Sequence, residues 1–406
     1  MNRSALFLGG SLTCMGLVSV MLAGCDTNAA QAPIRTTTTP VPLDSAMVEQ
    51  GQHIFRFDTF GDETLWTDTL RMHQIVDKQV QPLEALRLGL KVDLDKLHLG
   101  KFLLHNPLAA SGTRELLRQN AVVGLQASFD KDGHIARLGV TCALCHSTVD
   151  NALLPGIGHR LDGWANRDLD VGAIIALSPT LSAQQKSVYR SWGKGKYDPR
   201  YNQDGLNGPQ LIPPAYGLAG LHRITSTGDG DEIAYWNRYV GVTQMGGHGT
   251  FVESRTGVNV TNGTDDLISA KLPALQAYQL SLPAPTPPAR SFNARAAQRG
   301  KALFDGAAGC AECHNGPAFT DANTRLHPPS EVVSGPEADG IPSYASRSAT
   351  REYRTAPLKG VWQHPPYFHN GSAPTLEAVV ATYNNRKALG LSEADIADVA
   401  HYLKSL

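Results

Sequence analysis

Apolar residues recur at helical spacing in several stretches of the chain. Leu83, Leu86, Leu90 and Leu94 follow one another at intervals of three or four, which predicts helix within residues 65–120. Residues 150–260 are rich in Gly and Pro instead, so we expect loops and short helices there, with little regular sheet. The pattern therefore predicts a mainly α-helical protein with long loop-rich insertions.

The C-terminal part of the chain carries clear helix and boundary signals. Residues 272–292 predict a helix that runs into a break, because four of the six positions 283–288 are proline. A second helix is expected over residues 292–309. Ser392 with Asp395 three positions later predicts the capped start of a terminal amphipathic helix. We therefore expect one domain over residues 46–285 and another over residues 286–406.

Two pentapeptides of the form Cys-x-x-Cys-His stand in the chain, CALCH at 142–146 and CAECH at 310–314. This is the attachment signature of c-type haem, in which two thiols bond the haem vinyl groups and the histidine binds the iron. A zinc half-site or a redox dithiol is the alternative, but neither requires a histidine after the second cysteine. The sequence thus predicts two covalently bound haem c groups in two cytochrome c-like domains, held by Cys142, Cys145, His146, Cys310, Cys313 and His314.

The N-terminus has the features of an export signal. Arg3 precedes a mostly apolar run, and LAGC at 22–25 resembles a bacterial lipoprotein box. We expect residues 1–25 to form a lipoprotein signal peptide, with lipidation of Cys25, and residues 26–45 to form a flexible tether. An ordinary signal peptide cut after Ala23 or later is the alternative. Both place the chain in the periplasm, and Asp26 favours anchoring to the inner membrane.

Charge and cysteine content narrow the remaining options. The net charge is −1, which gives no electrostatic footprint for nucleic acid. Four of the six cysteines lie in the two motifs and the others in the first 25 residues, so no pair is left for a structural disulfide.

Methionine positions constrain the sixth iron ligands. After the signal only Met47, Met72 and Met245 remain, so the C-terminal domain cannot supply a local His/Met haem. The ligand of the first haem stays open between three residues, His159, Met245 and His248. The ligand of the second haem stays open between a tyrosine and four histidines, His327, His364, His369 and His401.

Residues 354–384, RTAPLKGVWQHPPYFHNGSAPTLEAVVATYN, and residues 299–321, RGKALFDGAAGCAECHNGPAFTD, resemble the bacterial di-haem cytochrome c peroxidase superfamily. That superfamily includes the maturation enzyme of methylamine dehydrogenase and, more distantly, the rubber oxygenases. The resemblance is strong over about 290–406 and weaker over 120–290.

The resemblance implies a ligand set for the second haem and a calcium site. Tyr383, 14 positions after His369, corresponds to the residue that binds the second iron, with His369 as the alternative. The calcium ion would be held by the side chain of Asn166 and the backbone carbonyls of His364 and Pro366.

The resemblance also suggests residues over the first haem. His159 is the positional candidate for a distal histidine, and Gln244 and Glu253 have the residue types expected over the open face, although the surrounding residues differ. Trp164, Trp192 and Trp236 are candidates for electron relays, and we count Trp236 among the catalytic candidates.

These features lead to three hypotheses about function. The first is a peroxidase-type oxidoreductase that reduces hydrogen peroxide, or another small oxidant, at the first haem, with electrons from a periplasmic cytochrome c or cupredoxin through the second haem. The second is an oxidase or oxygenase of an organic or protein substrate through high-valent iron. The third is a di-haem electron carrier without catalysis. A homodimer is one possible assembly.

Overall fold

Helices dominate the described part of the chain, as the apolar spacing predicts. The computed structural model describes residues 44–230, 232–333 and 343–406, so the predicted signal peptide, nearly all of the predicted tether and Cys25 lie outside them. The described α-helices are α1 Ser45–Phe57, α2 Met72–Lys78, α3 Pro82–Arg87, α4 Leu99–Leu103, α5 Ala110–Arg118, α6 Ala143–His146, α7 Val171–Ile175, α8 Ala183–Arg190, α9 Tyr201–Asp204, α10 Ile233–Thr243, α11 Leu272–Ser281, α12 Ala294–Asp305, α13 Leu376–Lys387 and α14 Glu393–Leu403. None of them is long and apolar enough to cross a bilayer.

Short strands pair in twos between the helices. They are β1 Val92–Asp93, β2 Leu125–Phe129, β3 Ile135–Val140, β4 Ser147–Val149, β5 Ile157–Gly158, β6 Arg160–Asp162, β7 Lys196–Tyr197, β8 Gln210–Leu211, β9 Gly249–Glu253 and β10 Val258–Asn262. β1 pairs with β5 in parallel, and the other pairs, β2–β3, β4–β6, β7–β8 and β9–β10, are antiparallel. The expectation of little regular sheet is confirmed.

The helical part of residues 65–120 consists of several short helices. Leu83 and Leu86 lie in α3, whereas Leu90 and Leu94 follow its end. Gly89 has φ +87°, and a Cβ atom at this position would lie 2.1 Å from the Asp168 carbonyl oxygen. A close tertiary contact therefore ends the helix where the apolar spacing would have continued it.

The first buried cluster is built around α1 and α11. The two helices touch closely, because a Cβ atom at Gly51 would lie 1.9 Å from the Ala274 carbonyl oxygen. Phe55 and Leu275, one on each helix, are almost completely buried. This cluster and its packing neighbours, which include Cys142 and Cys145, come from residues 48–282.

The second buried cluster is formed by α12, α13 and α14. A Cβ atom at Gly300 of α12 would lie 2.0 Å from the Asp398 carbonyl oxygen of α14, and Phe304 meets Tyr402 edge-on at 5.1 Å. This cluster and its neighbours come from residues 303–406 and share no member with the first. The change occurs at the proline-rich stretch, but the division into two haem domains stays a prediction.

Two local sequence predictions agree closely with the structure. α11 ends at Ser281, immediately before the prolines. The Ser392 hydroxyl accepts a hydrogen bond from Asp395 N at 3.2 Å, and Asp395 accepts one from Ser392 N at 3.0 Å. This reciprocal capping box begins α14 as predicted.

Candidate haem centres

The first Cys-x-x-Cys-His motif lies on the short helix α6, with Cys142 at its N-terminal cap. Gly124 has φ +81°, and a Cβ atom there would lie 2.2 Å from Leu144 N, so the start of β2 is pressed against the motif. The Thr141 amide donates to the Gly124 carbonyl at 2.9 Å. Backbone contacts therefore fix the position of the two cysteines.

His146 and His314 share one arrangement. Nδ1 of His146 lies 3.1 Å from the Pro213 carbonyl oxygen, and Nδ1 of His314 lies 3.1 Å from the Phe319 carbonyl oxygen. A carbonyl only accepts, so each Nδ1 carries the proton and each Nε2 keeps its lone pair for a metal. Histidine ligands are commonly oriented by such a backbone hydrogen bond. Both motifs therefore offer a proximal ligand.

The four motif cysteines lie in surroundings that favour the neutral thiol. Burial raises the pKa of Cys142 and of Cys145 to about 12, and that of Cys310 to about 11. Burial also lowers the pKa of His146 to about 4. Apolar surroundings of this kind suit a thioether-linked macrocycle and do not stabilise a thiolate by themselves.

Two partly buried arginines lack a carboxylate partner among the described residues. Arg167 follows Asn166, and the backbone amide of Asn166 donates to the Cys145 carbonyl at 2.9 Å. The Nε and one terminal nitrogen of the Arg167 side chain make no hydrogen bond within the described residues. Within the described residues, the Arg354 side chain makes one long hydrogen bond, to the Arg223 carbonyl at 3.4 Å. Burial lowers the pKa of both guanidinium groups to about 10. Buried cations without partners fit the propionates of haem.

Tyr383 lies beside the second pair of cysteines. It stands on α13, its ring centroid is 6.2 Å from that of Phe368, and its pKa is raised to about 12 by burial and by the nearby Cys310 and Cys313. His369, the alternative ligand, stacks on Tyr353 with centroids 5.0 Å apart. The structure thus brings the predicted tyrosine to the second motif, and its ligation stays a prediction.

His159 lies on the surface at the end of a hairpin. Val149 pairs with Arg160, and the Asp150 amide donates to the His159 carbonyl, so His159 lies opposite Asp150. Asp150 is four residues after His146 along the strand, a separation of roughly 13 Å. Its Nδ1 meets Asp95 at 2.8 Å, and this hydrogen bond raises the pKa of the imidazole.

Gln244 belongs to a buried network near the first motif. Its Oε1 accepts from the Tyr197 hydroxyl at 2.8 Å, and its Nε2 donates to Gln203 at 3.0 Å. Tyr197 packs against the same core as Cys145, and the Cys145 thiol contributes to the raised pKa of Tyr197, behind burial. Tyr197 was not singled out by sequence reasoning, because a lone tyrosine on a two-residue strand gives no pattern.

Glu253 and Trp236 line one small pocket, together with Arg200, Asp229, Tyr235, Tyr239, Phe251, Thr256 and Ala349. Trp236 stacks on Tyr239 with centroids 4.9 Å apart. Hydrogen bonds from Arg255 lower the pKa of Glu253 to about 2, so its carboxylate is ionised at neutral pH. In this hydrogen-bonded state the Glu253 carboxylate is a weak base.

The calcium candidates partly fit a hard cation. Asn166 is 2% exposed; its nitrogen donates to the Gly89 carbonyl at 3.0 Å, whereas its Oδ1 has no hydrogen-bond partner. A buried orphan oxygen suits Ca²⁺. His364 lies near Arg167, and burial followed by this positive charge lowers the pKa of the His364 imidazole to about 3. Pro366 is half-buried.

Two tryptophans join the predicted domains. The ring of Trp164 meets that of Trp362 edge-on at 6.0 Å and that of Tyr216 at 6.5 Å. The Tyr216 hydroxyl donates to the Gly360 carbonyl at 2.8 Å. Trp192 instead packs edge-on against Tyr197, with centroids 5.3 Å apart.

Two further groups near the motifs were missed because their members are far apart in sequence. Asp162 accepts from Arg56, Ser147 and Tyr278, each at 2.6 Å, and so ties α1 and α11 to the residue after His146. Ligand atoms of Cys313, Asp321 and His327 lie within 4.8 Å of one another, a set that could hold a metal ion. Cys313 cannot do both, because a sulfur bonded to haem as a thioether cannot bind a metal ion as a thiolate.

Comparisons with known proteins confirm the resemblance. A family model described as RoxA-like, cytochrome c-like matches residues 352–389. Cytochrome-c peroxidase IdrP2 of Pseudomonas sp. strain SCT is 34% identical, over 22% of this chain and 31% of its own. Cytochrome c551 peroxidase of Pseudomonas aeruginosa is 30% identical, over 33% and 42%.

Part of the chain is therefore similar to the di-haem cytochrome c peroxidases. The methylamine utilization protein MauG of Methylorubrum extorquens is also similar, at 32% identity over 27% of this chain and 34% of its own. The matches thus span about a third to two fifths of these relatives. This kinship and the cytochrome c-like match support haem c as the cofactor.

Solved structures show weaker likeness. A variant of the di-haem peroxidase BthA from Burkholderia thailandensis is 16% identical with a TM-score of 0.35, over 66% of this chain and 81% of its own. A MauG-like protein associated with microbial copper homeostasis is 19% identical with a TM-score of 0.34, over 50% and 75%. Likeness at this level carries no functional conclusion.

Proposed function

We propose that this protein is an exported di-haem c-type oxidoreductase that reduces hydrogen peroxide at the centre on Cys142 and Cys145. Two electrons and two protons convert one peroxide to two waters, and the electrons enter through the centre on Cys310 and Cys313. The observation that carries the proposal is the matched pair of histidines, His146 and His314, each with Nε2 left available by a backbone hydrogen bond. The peroxidases among the relatives supply the reaction class.

Bound haem would supply an iron that reacts with peroxide at one site and stores electrons at the other. The chain's own residues orient and balance these groups. His146 and His314 would bind the iron ions, Arg167 and Arg354 would offset propionate charge, and Tyr383 would be a second protein ligand at the centre on Cys310 and Cys313. Gln244, held by Tyr197, and Glu253, held ionised by Arg255, are the polar candidates near the first site. His159, which bonds Asp95 on the surface, would have to move toward the first haem site to act as its distal histidine.

Several supporting groups belong to the same proposal. Trp236, stacked on Tyr239, and the T-shaped pair of Trp164 and Trp362 offer aromatic steps for electrons, and Trp164 and Trp362 belong to different predicted domains. A calcium ion would bind Asn166, whose Oδ1 lacks a partner, with the carbonyls of His364 and Pro366.

The proposed location is the periplasm, with Cys25 lipidated in the inner membrane. A small cytochrome c or a cupredoxin would donate the electrons, and a homodimer remains one assembly to test. No nucleic-acid partner is proposed, because the net charge is −1.

A second candidate function is oxidation of an organic or protein substrate. The observation that favours it is Tyr383 beside Cys310 and Cys313, since the family resemblance gives tyrosine at this position in the methylamine dehydrogenase maturation enzyme and methionine in the peroxidases. Tyrosinate stabilises ferric and higher-valent iron.

The test has two steps. A pyridine haemochrome assay on purified holoprotein should give two haems per chain, and one haem would refute the di-haem assignment. Peroxide is then added to the ferric and to the half-reduced protein in the presence of reduced cytochrome c. We expect peroxide consumption coupled to cytochrome oxidation. A spectral response to peroxide without cytochrome oxidation would favour the second function, and the absence of any response would favour an electron carrier.

A further inference from the structure

Four largely exposed leucines lie near one another in sequence, along residues 99–108 of the described chain. Leu99, Leu103, Leu104 and Leu108 have exposed fractions of 50%, 61%, 85% and 70%. They lie on and just after α4, a helix in which no residue is fully buried. Exposed apolar side chains that cluster in this way usually mark an interaction site.

Only some of the apolar side chains in this segment pack against the rest of the described chain. Leu97 and Phe102 turn inward and line a cavity of about 70 Å³, whose other walls are almost entirely apolar, among them Val80, Leu116 and Ile157. Phe102 of α4 thus faces the core, whereas half or more of the surface of each of the four leucines remains exposed.

The charge of the segment indicates what that surface is. Between Asp95 and Glu115 there is no acidic residue, whereas Lys96, Lys101 and Arg114 are basic. Lys101 is exposed and makes no ion pair within the described ranges. The Glu115 side chain is only 8% exposed and forms an ion pair with Arg118. Leucines flanked by unpaired lysine suit the boundary between acyl chains and anionic headgroups.

We propose that the leucine face, defined as Leu99, Leu103, Leu104 and Leu108, rests on an anionic phospholipid bilayer. The lysine stems would lie along the apolar boundary while their charges reach the phosphates. The proposal goes beyond the haem chemistry and uses the proposed function only for the anchoring at Cys25. Eighteen residues separate Cys25 from Asp44, which allows a reach of at most about 65 Å and keeps the body close to the membrane.

The experiment uses the mature holoprotein from residue 26, exported behind a cleavable signal without a lipidation site, so that no acyl chain contributes. Binding is measured by co-sedimentation with vesicles of phosphatidylcholine and phosphatidylglycerol at a ratio of about 3:1. We expect Leu104→Ser with Leu108→Ser to weaken partitioning at least about tenfold, because two exposed leucines lose their contact with the acyl region. Lys101→Glu should weaken it as well.

The matched control is Val252→Ser, which removes a 60% exposed apolar residue from β9 and should leave binding unchanged. Unaltered haem spectra and melting curves establish that each variant folds. Failure of the parent protein to bind the vesicles would refute the proposal. A dimer by light scattering that the double leucine variant dissociates would refute it too, because the face would then bind a second copy. Failure of lipidation at Cys25 would not affect either result.

Discussion

Tyr383 is the single residue that best separates the two candidate reactions. It is half-buried on α13 beside both cysteines of the second motif, close enough to influence its titration. Burial alone disfavours the charged phenolate, so the oxygen would ionise only with a cation beside it. Tyr383 would therefore be ionised if it binds iron and neutral if it only packs in the core.

We expect Tyr383→Phe to change the resting ferric spectrum of one haem while leaving the other unchanged, because only the second iron loses a ligand. Absorption and electron paramagnetic resonance spectra measure this. Tyr402→Phe is the control, since Tyr402 packs on Phe304 in the same core. Spectra of Tyr383→Phe identical to those of the parent protein would remove the tyrosine assignment and make His369 the next candidate.

Arg354 carries a charge that no carboxylate among the described residues balances. A guanidinium largely removed from water with no carboxylate partner among the described residues would be costly by itself. We expect Arg354→Met to lower the midpoint potential of the second haem, because a cation that favours the reduced state is lost. The shift should be on the order of tens of millivolts at an effective dielectric constant of about 20.

Spectroelectrochemical titration of both haems measures that shift. Arg351→Met, at an exposed position three residues earlier, is the control and should leave both potentials unchanged. An equal shift in both variants, or none in Arg354→Met, would show that Arg354 does not offset charge at the second haem.

At the level of elements, backbone contact decides how the first motif is held. The turn before β2 and the helix α6 approach so closely that there is no room for a side chain between Gly124 and Leu144. Positive φ at Gly124 adds a second restriction, since an L-residue with a Cβ atom pays roughly 1–2 kcal/mol in that region.

Gly124→Ala should therefore destabilise the holoprotein by more than the positive φ of residue 124 alone would cost. The overlap of the added Cβ atom with Leu144 should contribute roughly 1–3 kcal/mol more. Gly193→Ala is the control, because Gly193 also has positive φ, +76°, but no atom within 4 Å of an added Cβ. Denaturant unfolding followed by haem absorbance compares the two. Equal losses of stability would mean that the turn and α6 move apart at little cost.

Local signals in the sequence anticipated those elements that local interactions determine. The Ser392 cap, the proline break after Ser281 and the two haem motifs depend on neighbouring residues, and all can be read directly. The helical spacing of the leucines from Leu83 to Leu94 does not continue as one helix, because Gly89 contacts Asp168, which lies 79 positions away in the chain. His159 is near His146 in sequence, but a hairpin carries it to the surface beside Asp95. Tyr197, Asp162 and the unpaired arginines depend on tertiary contacts, which residue spacing does not reveal.

At the scale of the whole molecule, Arg347 connects the two predicted haem domains. Its side chain is 3% exposed and bonds Asp198, whose side chain is 0% exposed, at 3.1 Å, and Asp204 at 2.7 Å. It also donates to the Leu206 carbonyl at 2.9 Å. Asp198 in turn accepts from the amides of Arg200 and Gly208. One C-terminal cation thus holds a loop of the N-terminal region that follows β7 and Tyr197.

Arg347→Met should cost about 3–5 kcal/mol, because Asp198 is left as a buried charge without its cation. Asp198→Asn in the same chain should restore part of this loss, since the amide oxygen still accepts from the backbone while the unpaired charge is gone. Unfolding of the single and double variants, followed separately at bands of the two haems, measures the coupling. If the predicted domains depend on this bridge for their cooperation, Arg347→Met will separate the two transitions that coincide in the parent protein. A loss below about 1 kcal/mol with coincident transitions would show that other contacts, such as Tyr216 with Gly360, hold the domains together.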